Sequence, residues 1–332
     1  MKKFTIFLLA IIMGLSTFVF TGCTNPNVIR VNEVTRSVFY APFYVAINKG
    51  YFKDEGYDIE LTTGGGSNVS MTALLSGSAD IALMGPETNV YVVSQGKQDY
   101  PIIFGQLTKR DGSFLVGRNP EPNFDWSNLH GKYIIAGRPG GSPAMNLQYV
   151  LEKHGYNIET DLTFDTDVSF NNTAGAFQSG VGDYVTMFEP TASEFVATGK
   201  GYIVASVGEE AGQVPFTCFS ANKSYLEKNS DKIEMFLKCI VKAYNFIMTA
   251  EIGEIIDALM PSFTASRESL RYAIESYKRI DAWNESPVME LADFERLQDV
   301  LVGAGELTKE NRVEFAKVVD NSFAEKILQE MA

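Results

Sequence analysis

The chain has 332 residues, 45 % of them apolar and 21 % charged, with 28 basic against 41 acidic side chains and a formal net charge of −13. That length accommodates two domains with separate cores, and those proportions exclude a disordered chain. So strong an acidic excess also argues against a nucleic-acid partner and against a basic patch for membrane surfaces.

The amino terminus reads Met1-Lys2-Lys3, then an apolar run from Phe4 to Phe20, then Thr21-Gly22-Cys23. A basic start, an apolar stretch of this length and small residues before a cut describe an export signal. The run is short of the ~20 apolar residues that a membrane span needs. The cysteine after Thr21-Gly22 resembles the bacterial lipoprotein signal, so residues 1–22 are expected to be removed and Cys23 to receive lipid. The mature chain then has 26 basic and 41 acidic side chains, a charge of −15. Residues 23–27 are read as a short tether.

A strand-like alternating run, Val28–Val34, opens the mature part. A loop containing Pro42 follows, then a helix over Tyr44–Gly50 with an extension to Gly56, then a second strand, Tyr57–Thr62. Next come the glycine loop Gly64-Gly-Gly-Ser-Asn68, a helix ending in Ser76-Gly77, and a third strand, Ile81–Met84. The same order recurs: strand Lys132–Ala136, loop Gly137–Pro143, helix Ala144–Gly155, strand Leu162–Phe164, a polar loop, a helix ending in Ser179-Gly180, and strand Tyr184–Phe188.

The recurrence is also literal. Glu55-Gly-Tyr-Asp-Ile-Glu-Leu61 is answered 99 residues later by His154-Gly-Tyr-Asn-Ile-Glu-Thr160. Ala73-Leu-Leu-Ser-Gly-Ser-Ala-Asp-Ile-Ala-Leu-Met-Gly-Pro-Glu87 is answered, at an offset of 103, by Ala176-Phe-Gln-Ser-Gly-Val-Gly-Asp-Tyr-Val-Thr-Met-Phe-Glu-Pro190. The final Pro-Glu of the first copy becomes Glu-Pro in the second. Strand, helix, strand, helix, strand in short units means a mostly parallel sheet with helices on both faces. Two copies mean two lobes, and ligands of such sheets bind beyond the carboxyl ends of the strands.

From Ser224 onward the pattern is helical. Ile233, Phe236, Leu237, Ile240, Val241, Tyr244 and Ile247 keep the spacing of one buried face. These helices are expected to return to the first lobe, with crossings near Phe114–Gly117 and Pro215–Ser220. The expected division is therefore 28–115 with 220–332 for lobe 1, and 116–219 for lobe 2. Cys218 and Cys239 have no framework spacing and are expected to be buried thiols.

The lipoprotein signal, Tyr40-Ala-Pro-Phe-Tyr44, Ala46-Ile-Asn-Lys-Gly-Tyr-Phe-Lys-Asp-Glu-Gly-Tyr-Asp-Ile-Glu60 and Ala73-Leu-Leu-Ser-Gly-Ser-Ala-Asp-Ile-Ala82 together resemble one family. It is the solute-binding proteins of ABC importers, in the branch serving thiamine pyrimidine precursors, riboflavin, alkanesulfonates, taurine and nitrate. The resemblance implies a two-lobed periplasmic-binding-protein fold that closes on a small solute and hands it to a membrane permease with its ATPase. It implies a monomer held to the membrane through Cys23, without cofactor. It also places the ligand loops on Ser37–Tyr40, Gly66–Asn68, Gly85–Glu87, Arg138–Ser142 and Phe188–Pro190.

Chemistry refines those loops into candidates. Phe39 and Tyr40 offer faces for stacking on a flat ring, with Phe43 and Tyr44 assigned to the core. Gly66 lets a ligand approach the backbone, with Ser67 or Asn68 as a partner and at least one of the two capping the following helix. Gly141 and Ser142 repeat that arrangement in lobe 2, while Arg138 either pairs with an acidic ligand group or makes a surface ion pair. Phe188 closes the second repeat. Glu87 and Glu189 are expected to face each other across the cleft, each seeking a donor, unless one pairs with Arg138 or a hinge residue. Two carboxylates disfavour an anion, so a nitrogen heterocycle such as an aminopyrimidine or a flavin is the expected solute, with an alkanesulfonate, taurine or nitrate anion as the alternative and a tethered solute sensor as a second. His130 and His154 are isolated, and no nucleotide, metal or nucleophile motif is present, so neither a catalytic residue nor a metal is expected.

Overall fold

The computed structural model describes residues 25–96 and 99–331. The signal segment and Cys23 lie outside the described residues, among which no helix is long and apolar enough to cross a membrane. Strands β1 (Val28–Glu33), β2 (Asp58–Thr63), β3 (Ile81–Met84), β4 (Pro101–Thr108) and β10 (Thr217–Asn222) form one sheet in the order β2-β1-β3-β10-β4. Strands β5 (Ser113–Gly117), β6 (Tyr133–Ile135), β7 (Thr163–Asp165), β8 (Tyr184–Phe188) and β9 (Tyr202–Ser206) form the other, ordered β7-β6-β8-β5-β9.

The two sheets superimpose in topology. In the first, β1, β2 and β3 are parallel and β10 runs against both of its neighbours. In the second, β6, β7 and β8 are parallel and β5 runs against both of its own. The repeat written in the sequence is thus a repeat of architecture, and the fold is the two-lobed α/β arrangement.

Each antiparallel strand is the one the chain enters after changing lobes. Residues 109–112 lead from β4 to β5, and residues 207–216 lead from β9 to β10. The two crossings lie side by side: Val214 N–H donates to Lys109 O at 3.0 Å, and Phe216 N–H to Thr108 O at 3.2 Å. The expected boundaries at 115/116 and 219/220 fall inside β5 and β10, each of which belongs wholly to one sheet. A buried strand reads alike in sequence whichever sheet it joins, so periodicity alone cannot place the crossing.

Helix α1 (Ala41–Asn48) carries Pro42 in its first turn, where the missing N–H costs nothing. Helices α2 (Ser67–Leu75) and α3 (Glu87–Ser94) complete the first repeat; α4 (Ser142–Lys153), α5 (Thr173–Gln178) and α6 (Thr191–Ala197) complete the second. The apolar face expected after Ser230 is buried in α7 (Ser230–Thr249), which packs on α1 in lobe 1. Helices α8 (Arg267–Arg279) and α9 (Leu291–Gly303) depart from the expectation: α8 also touches α6, and α9 touches α3 and α4. The carboxyl-terminal helices therefore clamp both lobes. Helical spacing shows that a face is buried but not against what.

Cys218 and Cys239 are buried free thiols, as their spacing suggested.

Candidate functional site

The carboxyl ends of the parallel strands of both sheets open onto a cleft between the lobes. It holds two adjoining chambers of about 510 and 600 Å³, mouths included, separated by Thr35, Phe170 and Phe188, which line both.

Glu87 stands in the wall of the first chamber as the first residue of α3, only 1 % exposed. Ser142 Oγ, at the start of α4 in the opposite lobe, donates to its Oε2 at 2.7 Å. Arg138, from the same lobe-2 loop, brings Nη2 to 3.6 Å from Oε1. That is an ion-pair distance but too long for a hydrogen bond, and Oε1 has no hydrogen-bond partner among the described residues. Burial raises the carboxyl's pKa, with Ser142 and Arg138 pulling the other way. Gly85 makes this pose possible, because a Cβ there would fall 1.9 Å from Oε2. Ser67 Oγ accepts the Gly85 N–H at 3.1 Å and fixes the turn. Ser67 and Asn68 do not cap α2, whose N-cap is Gly66 with no side-chain bond; Ser67's oxygen is occupied by Gly85 instead.

Glu189 behaves otherwise. Its Oε1 accepts from Ser193 Oγ at 2.7 Å and its Oε2 from Ser193 N–H at 2.9 Å, so both oxygens close on the first turn of its own helix α6. Burial raises its pKa as well. Glu189 lines the second chamber and Glu87 the first, so the two acids do not share a chamber. Its backbone ties the lobes together: Ser37 Oγ donates to Glu189 O at 2.8 Å, and Glu189 N–H donates to Tyr277 Oη at 2.9 Å.

The aromatic candidates divide. Tyr40 and Phe188 line the first chamber, but Phe39 lines neither. Phe39 is fully buried, its ring centroid 5.1–5.7 Å from those of Tyr40, Phe188, Phe216 and Tyr277. Gly112, in the first crossing, allows this, since a Cβ there would sit 2.5 Å from the Phe39 ring. Phe39 is thus a packing residue of the hinge. Phe43 and Tyr44 are fully buried in the core, as expected.

Gly66, Ser67, Arg138, Gly141 and Ser142 all line the first chamber; Ser37 lines the second; Asn68 is exposed and lines neither. Val34, Thr35, Pro143, Phe170, Phe216 and Thr217 were not anticipated in the first chamber. Phe170 was within reach, because it occupies in the second repeat the loop that Gly64–Asn68 occupies in the first. Phe216 ends the second crossing and Thr217 opens β10, segments that lie outside the repeat.

Two further contacts hold the lobes together: Tyr91 Oη donates to Gly140 O at 3.3 Å, and Met145 of α4 packs with Val90, Phe294 and Leu297 of lobe 1. No group of three or more metal-ligating side chains occurs among the described residues.

Residues 38–250 match the family model described as "NMT1/THI5 like". The chain is 43 % identical over 91 % of its length, and 90 % of the relative's, to the Bacillus subtilis protein described as "Putative binding protein YtlA". It is 22 % identical, over 66 % of its length and 67 % of the relative's, to the 4-amino-5-hydroxymethyl-2-methylpyrimidine phosphate synthase of Aspergillus parasiticus. Among solved structures it is similar to the alkanesulfonate-binding protein SsuA of Xanthomonas axonopodis pv. citri bound to MOPS. There the TM-score is 0.73 at 17 % identity, covering 90 % of this chain and 100 % of that one. The extent of the family match and the close binding-protein relative establish that the chain belongs to the NMT1/THI5-like family.

Proposed function

We propose that the protein is the extracytoplasmic solute-binding component of an ABC importer, and that its solute is a nitrogen heterocycle presenting an N–H. In this reading the protein is a monomer tethered through lipid on Cys23, and it delivers the solute to a permease driven by an ATPase. The observation that carries the reading is Glu87, which lines the first chamber and whose buried Oε1 has no hydrogen-bond partner among the described residues. Such an atom costs on the order of 1–3 kcal/mol until a partner arrives, and a ring N–H supplies one. Tyr40, Phe170, Phe188 and Phe216 provide apolar walls for a flat ring. Binding rather than catalysis is assigned, because the chambers are lined by hydroxyls, aromatics, one acid and one arginine each, with no His or Cys.

Because Ser67, Glu87, Arg138 and Ser142 come from opposite lobes, a solute touching all of them favours the closed arrangement over the open one.

A second reading, an anion such as a sulfonate or nitrate, has one observation in its favour: Arg138 flanks the chamber beside Gly66 and Gly141. Glu87 already neutralises that guanidinium, so an anion meets a nearby carboxylate as well. A thermal-shift screen of aminopyrimidines, flavins, alkanesulfonates and nitrate separates the two. Melting temperature rises with the ratio of ligand concentration to Kd, and aminopyrimidines or flavins are expected to raise it. A shift by sulfonates or nitrate alone would overturn the heterocycle.

A further inference from the structure

Each sheet has two edge strands, and an uncovered edge offers backbone N–H and C=O groups to any passing strand. Three of these edges are protected. β2 carries Asp58 and Glu60 along its length, and β7 has only three residues, Thr163–Asp165. β4 is covered by the chain itself: Gln106 N–H donates to Pro287 O at 2.8 Å, Asn284 N–H to Leu107 O at 2.9 Å, and Asp320 N–H to Ile103 O at 2.9 Å. The remaining edge, β9, reads Tyr-Ile-Val-Ala-Ser, with neither a charge nor a proline. It pairs with β5 alone among the described residues.

That edge opens on a groove of about 1290 Å³, mouth included. Tyr202 and Ile203 both line it, although successive side chains of a strand point to opposite faces. The groove therefore runs along the edge of β9 and not over one face of the sheet. Its other walls are α8, through Glu268, Tyr272 and Ser276, and α6, through Ser193, Val196 and Ala197. Val196 and Tyr272 are 41 % and 48 % exposed, which leaves apolar surface open to solvent. Glu121 and Glu268 supply the only charges of the lining, and both are acidic. α8 is seated on the Val38–Tyr40 turn of lobe 1, whereas α6 and β9 belong to lobe 2, so the groove's width follows the angle between the lobes.

We propose that this groove is a docking surface for an extended segment of another protein, apolar with basic residues, which adds to the free edge of β9 as a further strand. Main-chain bonds to β9 supply affinity, Val196 and Tyr272 the apolar contact, and Glu121 and Glu268 the preference for basic residues. A second copy of this chain is disfavoured. Its formal charge of −13 repels its like, and β9 itself brings no basic residue to meet the two glutamates. The groove lies outside the solute cleft but shares a wall with it. Ser193 lines the groove and its hydroxyl holds Glu189, which lines the second chamber. A strand docked between α8 and β9 thus meets a different width in the open and the closed arrangement, and favours whichever it fits.

The test uses the whole mature chain and a fluorescent peptide, Val-Lys-Val-Lys-Val-Lys-Val, long enough to span the five residues of β9. Binding is followed by fluorescence anisotropy and by hydrogen exchange of the Tyr202–Ser206 amides, which a docked strand is expected to slow. Replacing the lysines by glutamates is expected to weaken binding at least about 10-fold, and methylating every backbone nitrogen to abolish it. Tyr272→Ala and Val196→Ala are each expected to weaken it at least about 3-fold, with melting temperatures reporting that the variants remain folded. Equal binding of the lysine and glutamate peptides, binding that survives methylation, or no binding at all overturns the proposal. So does exchange at β9 that slows with rising protein concentration in the absence of peptide, which assigns the edge to a second copy. No solute enters the experiment, so these failures leave the solute-binding reading where it stands.

Discussion

The ends of β3 and β8 are the same sentence with two words exchanged, and the exchange decides what each glutamate does. In Gly85-Pro86-Glu87 the proline is the N-cap of α3, and the acid becomes the first residue of the helix. Its side chain then projects across the cleft to Ser142 and Arg138. In Glu189-Pro190 the acid precedes the N-cap, and from there a carboxylate reaches back to the N–H of Ser193, one of the orphan donors of α6. Two helix positions, one on either side of the N-cap, separate an acid that faces the opposite lobe from an acid that bonds to its own helix. The comparison teaches that a duplicated scaffold need not duplicate its side-chain bonding: of the two acids, Glu87 alone has a carboxylate oxygen without a partner among the described residues.

The comparison breaks most visibly on paired substitutions. Glu87→Leu keeps side-chain volume and removes both oxygens, so a heterocyclic solute loses its charged acceptor and Ser142 its partner. Affinity is expected to fall about 100-fold, near 3 kcal/mol, in titration calorimetry. Glu189→Leu is expected to leave affinity within about 3-fold and to lower unfolding free energy by about 1 kcal/mol, the usual loss of a helix cap. If the two variants exchange these phenotypes, the assignment of roles is wrong.

This division was only half legible in the sequence. The repeat announced the topology, because periodicity and glycine-terminated helices are local signals, and β3 and β8 begin and end where the alternation placed them. The loops that line the cleft were legible for the same reason. What could not be read was where each side chain turns. Glu87 and Glu189 read alike as acids each seeking a donor, yet Ser193 holds both oxygens of Glu189 while Ser142 holds only one of Glu87's. Phe39 looked like a stacking residue and is packed behind the site, because Gly112, 73 residues distant in the chain, leaves room for its ring. Such facts are tertiary, set by which segment lies opposite, and no spacing within a single element encodes them.

A third carboxylate sharpens the comparison. Asp111 lies in the first crossing, where Oδ1 accepts from Ser113 N–H at 2.7 Å and Oδ2 is buried without a partner among the described residues. Like Glu87 it is half-satisfied, but at the hinge rather than in the cleft. Burial pushes its pKa from 3.8 up to about 7. Between those values the folded chain holds a proton that the unfolded chain has lost, so stability from this group is full at low pH and falls as pH rises through the window. From about pH 5 to about pH 7 the loss is on the order of 2 kcal/mol. Asp111→Asn removes the titration, so its urea midpoint is expected to decline less steeply over that range than that of the parent. Parallel slopes for the two proteins would show that Asp111 is not the half-satisfied group it resembles.

The smallest effect is expected where the two lobes share a single hydrogen bond. Ser142→Ala deletes the 2.7 Å bond to Glu87 Oε2 but leaves Arg138 nearby and the glutamate in place. The bond exists only while the lobes are together, so its loss weakens the closed complex without altering how an open cleft meets a solute. Affinity should fall about 5-fold, near 1 kcal/mol, and stopped-flow measurement should find the change in dissociation rate, with association nearly unchanged. The matched change in the second half-site is Ser37→Ala, which deletes the bond to the backbone of Glu189. That bond too joins the lobes, but it ends on a carbonyl whose own carboxylate is already occupied, so no cleft acid is freed by its loss. A faster dissociation in both variants, with a weaker grip on the ring in Ser142→Ala alone, is the signature of one half-site that both latches and binds beside another that only latches.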